Sequence, residues 1–212
     1  MSDNAIGPRV RALFGGSERS LVAAYRRFFV DLDVLADRLR SGVTASRILD
    51  MGCGEGLFTE KLARAYPEAR ITGIDITPRV GRLFVGDRNR VSFRQETAES
   101  LSRELPGGFD LIVVCDVLHH IPWSSRPGVL GFVRCLLSTG GLIVVKDWER
   151  RPNLVHLLGY LSDRWLTGDR IRYARQEELR DVLAGAFGAG AIKEEFRLPP
   201  WRNNTVFFVR PG

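Results

Sequence analysis

The sequence predicts an α/β fold, an open and mostly parallel sheet with helices packed on both faces. Three observations carry that prediction. From residue 47 onward, short apolar runs that end in glycine or an acid alternate with amphipathic stretches of helical length. One of these runs, FDLIVVCD (109–116), is almost wholly apolar, as a strand covered on both faces must be. Near the end, two strand-like runs follow one another around a Pro-Pro-Trp turn, which adds one antiparallel strand in the edge region.

The elements follow in order. Leu21, Tyr25, Phe28, Phe29, Leu32, Leu35 and Leu39 recur at three- and four-residue steps, predicting a helix from about Ser17 to Leu39 with Ser17 or Ser20 as its cap. RILDMG (47–52) is the first strand and LFTEKLARAY (57–66) an amphipathic helix. ITGID (71–75) and VSFR (91–94) are the next two strands, and 109–116 the fourth. Helical GVLGFVRCLL (128–137) is separated by a Thr139-Gly140-Gly141 break from the strand LIVVKD (142–147). NLVHLLGYLSDRWL (153–166) and Gln176 to Phe187 read as helices, and AIKEEFRL (191–198) with NTVFFVR (204–210) as the closing strand pair. Crossovers in such a sheet are right-handed, and ligands bind at the carboxyl ends of its strands. Function is therefore to be sought near residues 51, 75, 95, 116 and 147.

Composition narrows the class. With 212 residues, 44% hydrophobic and 26% charged, the chain has the make-up of one globular domain spanning 1–212, with a core that needs no disulfides. No apolar run approaches the roughly 20 residues of a membrane span, and the first residues lack a secretory apolar stretch, so a cytoplasmic protein is expected. Lys plus Arg number 31 against 25 Asp plus Glu, a net charge of +6. Only Lys61, Lys146 and Lys193 are lysines, and the arginines are interspersed with acids as in RQEELRD (175–181). Nucleic acid is therefore disfavoured as a partner. Cys53, Cys115 and Cys135 are widely spaced in apolar segments, which fits buried reduced thiols, and no metal-ligand spacing occurs, so no metal is expected.

The loop ILDMGCGEG (48–56) leaves a strand and enters a helix. Gly52, Gly54 and Gly56 allow a sharp turn and a close approach to a ligand, with Cys53 between the first two. Leu57 stands where a dinucleotide fingerprint would have its third glycine, and Glu55 would set negative charge at the helix start, so a pyrophosphate is disfavoured. Asp50 would meet a positive ligand group. Asp75 ends the second strand, where a carboxylate can accept from both hydroxyls of a ribose. Together these residues describe a nucleoside whose other arm is cationic.

In these motifs the chain resembles the class I S-adenosylmethionine-dependent methyltransferases that act on small molecules. ILDMGCGEG resembles the family's first motif, ITGIDIT (71–77) its acidic second-strand motif, FDLIVVCDVLHHIP (109–122) its fourth-strand motif, and LLSTGGLIVV (136–145) the turn and fifth strand. The resemblance covers roughly residues 45–148. It implies a Rossmann-like, doubly wound sheet of seven strands with the last antiparallel, and S-adenosylmethionine as cofactor with S-adenosylhomocysteine as product. It also implies that Asp50 and Gly52 face the methionine moiety, Asp75 the ribose and Ile76 the adenine face. Glu96 stands where the family has an Asp reaching the adenine amino group, and Thr97 would offer its backbone N–H to the ring. Asp116, closing the fourth strand, completes the expected cofactor set. In PRVGRLFVGDRNR (78–90) the family's helix is longer and lacks a glycine such as Gly81, so a short or irregular helix is expected here.

The resemblance divides the chain into an N-terminal helical cover (1–44), a cofactor-binding core (45–148), an acceptor-side cover (149–175), and the final helix and strand pair (176–212). Methyl transfer from a sulfonium is an in-line displacement that depends mainly on positioning, and a hydroxyl acceptor gains from a general base. His119 or His120, just past the fourth strand, is suited to that task at neutral pH, with His119 preferred. Asp147, ending the neighbouring strand, can orient an imidazole across the roughly 5 Å between strands, or can instead cap the following helix. Trp148, His156, Tyr160, Trp165 and Tyr173, interleaved with Arg150, Arg151, Arg164, Arg170 and Arg172, would form the acceptor side. The expected reaction is methylation of a small molecule, most readily at oxygen (a phenol, polyketide, quinone or sugar-like product), by a monomer or homodimer. Nitrogen or carbon methylation, an RNA methyltransferase and a non-catalytic protein on this fold are the alternatives.

Overall fold

A computed structural model describes residues 27–151 and 171–212 of the chain. Its strands are β1 (Arg47–Met51), β2 (Arg70–Asp75), β3 (Val91–Gln95), β4 (Phe109–Cys115), β5 (Leu137–Trp148), β6 (Ile192–Leu198) and β7 (Asn204–Val209). The α-helices are α1 (Leu32–Gly42), α2 (Leu57–Ala65), α3 (Ala98–Glu104), α4 (Arg126–Leu136) and α5 (Gln176–Phe187). The strands form one sheet in the order β3-β2-β1-β4-β5-β7-β6. Pairings from β3 through β5 are parallel, and β7 runs antiparallel to both β5 and β6. This is the Rossmann-like α/β fold the sequence predicts. The reversed strand lies one place in from the edge, and β6 is outermost.

Strand alternation builds two cores. Leu49, Met51, Ile112, Val114, Ile143, Val145, Phe207 and Val209 face one side, where Leu101 of α3, Leu130 and Val133 of α4, and Leu179 and Leu183 of α5 cover them. Ile48, Ile71, Leu111, Val113, Val144 and Phe208 face the other, under Leu35 and Leu39 of α1 and Phe58 and Leu62 of α2. Central β4 supplies both faces, with residues Leu111 to Val114 fully buried. Its continuous apolar run is thereby accounted for. The strand order reverses between β1 and β4, so a crevice opens at their carboxyl ends, and the β1 loop and the β4 loop meet there.

Four expectations change. The helix expected without interruption from Ser17 to Leu39 is broken within its described part: residues 27–29 are helical, while Val30 and Asp31 are not. Asp31 turns the chain there, because its side chain accepts from Asp33 N at 3.0 Å and its own N–H donates to Pro199 O at 3.0 Å. Thr139-Gly140-Gly141 is no boundary, since β5 already begins at Leu137. The glycines instead accompany a register shift against β4 between Phe109 and Leu111. Helix α3, capped by Thr97, comes in addition to the elements expected from the pattern. Residues 78–90 form turns with no regular helix, around Gly81 at φ 65°.

The expected helix over 153–166 and the start of the N-terminal helix lie outside the described residues. Among the described residues no helix is long and apolar enough to cross a membrane.

Candidate active site

The glycine loop is shaped from within. Gly52, Gly54 and Gly56 take φ values of 73°, 53° and 91°. Gly52 has the tightest requirement, because a methyl group there would lie 2.2 Å from Val117 Cγ2, the residue that follows Asp116 on the neighbouring loop. The loop is held to β2 by Gly52 N and Cys53 N, which donate to Ile74 O at 2.8 and 3.0 Å. Asp75 completes the cradle: one carboxylate oxygen accepts from Gly54 N at 2.8 Å and the other from Thr77 N at 2.9 Å. Both bonds leave lone pairs on a fixed carboxylate for further donors.

Asp50 is 1% exposed and accepts from Thr59 Oγ1 of α2 at 2.6 Å, which helps to orient its carboxylate. Burial pushes the Cys53 thiol well up, and the charges of Asp50 and Asp75 add to this, so the thiol is inert beneath the loop. Ile76 is 72% exposed beside Asp75, an apolar surface of the kind an adenine ring would cover.

The side chains of Glu96 and Thr97 both have partners on α3. Glu96 pairs with Arg94 Nε at 2.8 Å and accepts from Ser100 Oγ at 2.7 Å, so its carboxylate is drawn back onto β3 and α3 rather than extended toward a base. The Thr97 hydroxyl accepts from Ser100 N as the α3 cap. Glu55, whose charge was expected to repel phosphate, is paired with Arg82 at 2.9 Å. The case against a dinucleotide then rests on Leu57 in place of the third glycine.

The chemistry-bearing residues gather where β4 and β5 end. Asp116 takes φ 58°, a left-handed conformation uncommon outside glycine, and its two oxygens accept from the fully buried Lys146 Nζ at 2.6 and 2.7 Å. His119, 3% exposed, has its N–H bonded to Asp147 Oδ2 at 3.0 Å and its ring Nδ1 in contact with Asp147 Oδ1. Asp147 Oδ1 also accepts from Trp148 N at 2.8 Å. Burial opposes ionisation of Asp147, but the His119 charge and hydrogen bond, with Lys146 nearby, hold its carboxyl below the ordinary range. The helix that Asp147 could alternatively cap lies outside the described residues. His120 is exposed, its ring 4.2 Å from that of His119. Tyr173 packs 5.2 Å from His119 and 6.0 Å from Trp148 between ring centroids, so part of the expected aromatic cover reaches the site.

Ligating atoms of Asp116, His119 and Asp147 lie within 4.8 Å of one another. Each already has a protein partner, Lys146 for Asp116 and the mutual pair for the other two. The sequence places all three near the ends of β4 and β5, although their spacing along the chain forms no metal-ligand motif. Sequence spacing did not single out Lys146, Thr59 or Arg126: Lys146 meets Asp116 across 30 residues and Arg126 meets Arg172 across 46, while Thr59 bonds Asp50 from the next helix. His156, Tyr160, Arg164, Trp165 and Arg170 lie outside the described residues.

Residues 48–141 match the family model of a methyltransferase domain, which spans this loop, both acidic strand ends and the β4 loop. Over these residues the chain is similar to methyltransferase domains. A ubiquinone biosynthesis O-methyltransferase of Xanthomonas campestris is 33% identical over 127 residues, 58% of this chain and 51% of that protein. The counterpart in Pseudomonas aeruginosa is 32% identical over 117 residues, covering 53% and 49%. The chain thus matches about half the length of these curated relatives.

Among solved structures, the 1,6-didemethyltoxoflavin-N1-methyltransferase of Burkholderia thailandensis, with S-adenosylhomocysteine bound, aligns with TM-score 0.65 at 19% identity over 95% of this chain and 87% of that one. An O-methyltransferase family 2 protein of Planctomyces limnophilus, in complex with apigenin, aligns with TM-score 0.67 at 19% identity, covering 91% and 60%. At these identities the likeness shows a shared fold. The glycine loop, Asp50, Asp75 and Ile76 lie together at the carboxyl ends of β1 and β2, and the first of these structures holds S-adenosylhomocysteine.

Proposed function

We propose that this protein methylates a hydroxyl of a small molecule, with His119 as general base and Asp147 as the residue that orients it. The observation that carries this reading is the buried His119–Asp147 pair at the ends of adjacent strands, beside the glycine loop. Asp50 and Asp75 give the crevice an anionic lining, which suits a ligand with a sulfonium and an α-amino group, while the charge of Asp116 is met by Lys146. Bound there, S-adenosylmethionine supplies an electrophilic methyl group. Asp75 holds the ribose, Asp50 faces the methionine arm and Ile76 covers the adenine.

His119 takes the acceptor's hydroxyl proton on the ring nitrogen opposite Asp147 as the oxygen bonds to the methyl carbon. Asp147 fixes the tautomer and stabilises the imidazolium that results, the division of labour known from Ser-His-Asp triads. The O-methyltransferase names of the curated relatives support oxygen as the acceptor atom.

The test is a screen of phenols, sugars, lipids and amines with labelled S-adenosylmethionine, RNA serving as control. With the acceptor found, His119→Asn should lower kcat about 10²–10⁴-fold while S-adenosylhomocysteine binds as before, and His120→Asn should retain most turnover. Unchanged turnover in His119→Asn, or an amine acceptor indifferent to it, would overturn the base assignment. Failure of the wild type to bind S-adenosylhomocysteine would overturn the cofactor site itself.

A further inference from the structure

Arg126, the first residue of α4, is fully buried, although no carboxylate lies within ion-pair distance of it among the described residues. Its Nε donates to Ile121 O at 3.2 Å and its Nη2 to Arg172 O at 2.8 Å, while buried Nη1 has no hydrogen-bond partner. A second cation stands beside it: the guanidiniums of Arg126 and Arg172 lie 4.6 and 4.7 Å from the centroid of the same Trp123 ring. Burial and the Arg172 charge both disfavour the charged form of Arg126, and Asp147 partly offsets them. A guanidinium does not deprotonate in a protein, so a buried one with an idle N–H group calls for an anion.

Its place says which anion. Both carbonyls that Arg126 grips belong to segments that frame the dyad: Ile121 follows His120 in the β4 loop, and Arg172 N donates to His119 O at 3.0 Å. Only Arg172 separates the Arg126 bond from the His119 bond, so Arg126 is tied to the segments around His119 and not to the glycine loop. The Asp-lined cofactor crevice carries the opposite charge and would not hold an anion.

The geometry points to Arg126, assisted by Arg172, as the carboxylate-binding group of the acceptor site, which makes the substrate a hydroxylated acid whose carboxylate meets Arg126 Nη1 while its hydroxyl faces His119. This rests on the methyl-transfer reading above and supplies its substrate class. It also gives the aromatic contact a role, since Trp123 holds both guanidiniums in register by cation–π contact. A charge-assisted bond to a fixed guanidinium would discriminate strongly between an acid and its neutral amide, because the amide leaves the buried charge uncompensated.

Calorimetry on the S-adenosylhomocysteine complex with 3,4-dihydroxybenzoate and 3,4-dihydroxybenzamide as probes tests this. The acid should bind about 10-fold or more tightly than the amide, a difference typical of one charge-assisted bond. Arg126→Met should bring the acid to the affinity of the amide and leave S-adenosylhomocysteine affinity unaltered. Should Arg126→Met fail to fold, Arg172→Gln, at an exposed position, should reduce the discrimination several-fold. Equal binding of the two probes, binding of neither, or discrimination that survives in folded Arg126→Met or in Arg172→Gln would overturn the assignment. Binding of S-adenosylhomocysteine is read separately, so failure of the cofactor site and failure of the carboxylate site give different results.

Discussion

Asp147 loses its water on folding, and that alone would raise its pKa. The His119 charge and bond, the Trp148 N–H and the Lys146 charge outweigh the loss and hold the carboxyl below its ordinary value. A carboxylate whose folded pKa lies below the unfolded one, about 3.9, stabilises the fold at pH above that value. Its contribution disappears as pH falls through the folded pKa. Asp147→Asn should therefore cost about 3–5 kcal/mol at pH 7, the usual penalty for leaving one partner of a buried pair, and less near pH 3, below the unfolded pKa. Urea melts at the two pH values check this, and an equal loss at both would show that the charge is not what matters.

At this scale Asp50, Gly52, Asp75, His119 and Asp147 were legible in the sequence, because each lies at or just past the carboxyl end of a strand. Lys146 and Arg126 were hidden. Lys146 lies one position before Asp147 in an apolar strand, and its partner Asp116 is 30 residues away. Arg126 was one arginine among many, and its contact with Arg172 spans 46 residues.

Among the elements, the strands were the most legible, since two-sided burial forces continuous apolar runs at the centre of a parallel sheet. Helix continuity was harder to read. Apolar positions on both sides of Asp31 keep helical spacing, yet Phe29 packs on Trp148 and Tyr173 while Leu32, Leu35 and Leu39 pack on the sheet. The two segments serve different clusters, so the periodicity continues where the helix does not. Asp31 marks the change by capping α1, and Asp31→Ala should lower stability by about 1 kcal/mol through loss of that cap. In a chain of this size the corresponding fall in Tm is roughly 2–4 °C. A Tm unchanged in Asp31→Ala would mean that the Asp31 N–H to Pro199 bond alone makes the turn.

Over the whole molecule, the +6 charge is unevenly distributed. Many arginines are spent in surface pairs such as Arg47–Asp110, Arg94–Glu104 and Arg180–Glu195, while acids gather at the crevice. The crevice joins the two halves of the sheet, because β1 and β2 lie on one side of the order reversal and β4 and β5 on the other. A ligand seated across it binds only the folded chain, so it stabilises the whole sheet by RT ln(1 + [L]/Kd), about 2.7 kcal/mol at 100 times Kd. S-adenosylhomocysteine at that concentration should raise Tm by roughly 5–10 °C. NAD should leave Tm unchanged, because Leu57 occupies the position where a pyrophosphate needs the third glycine. A shift with NAD matching that with S-adenosylhomocysteine would mean that the crevice reads only the nucleoside, and the assignment of Asp50 to a cationic arm would fall with it.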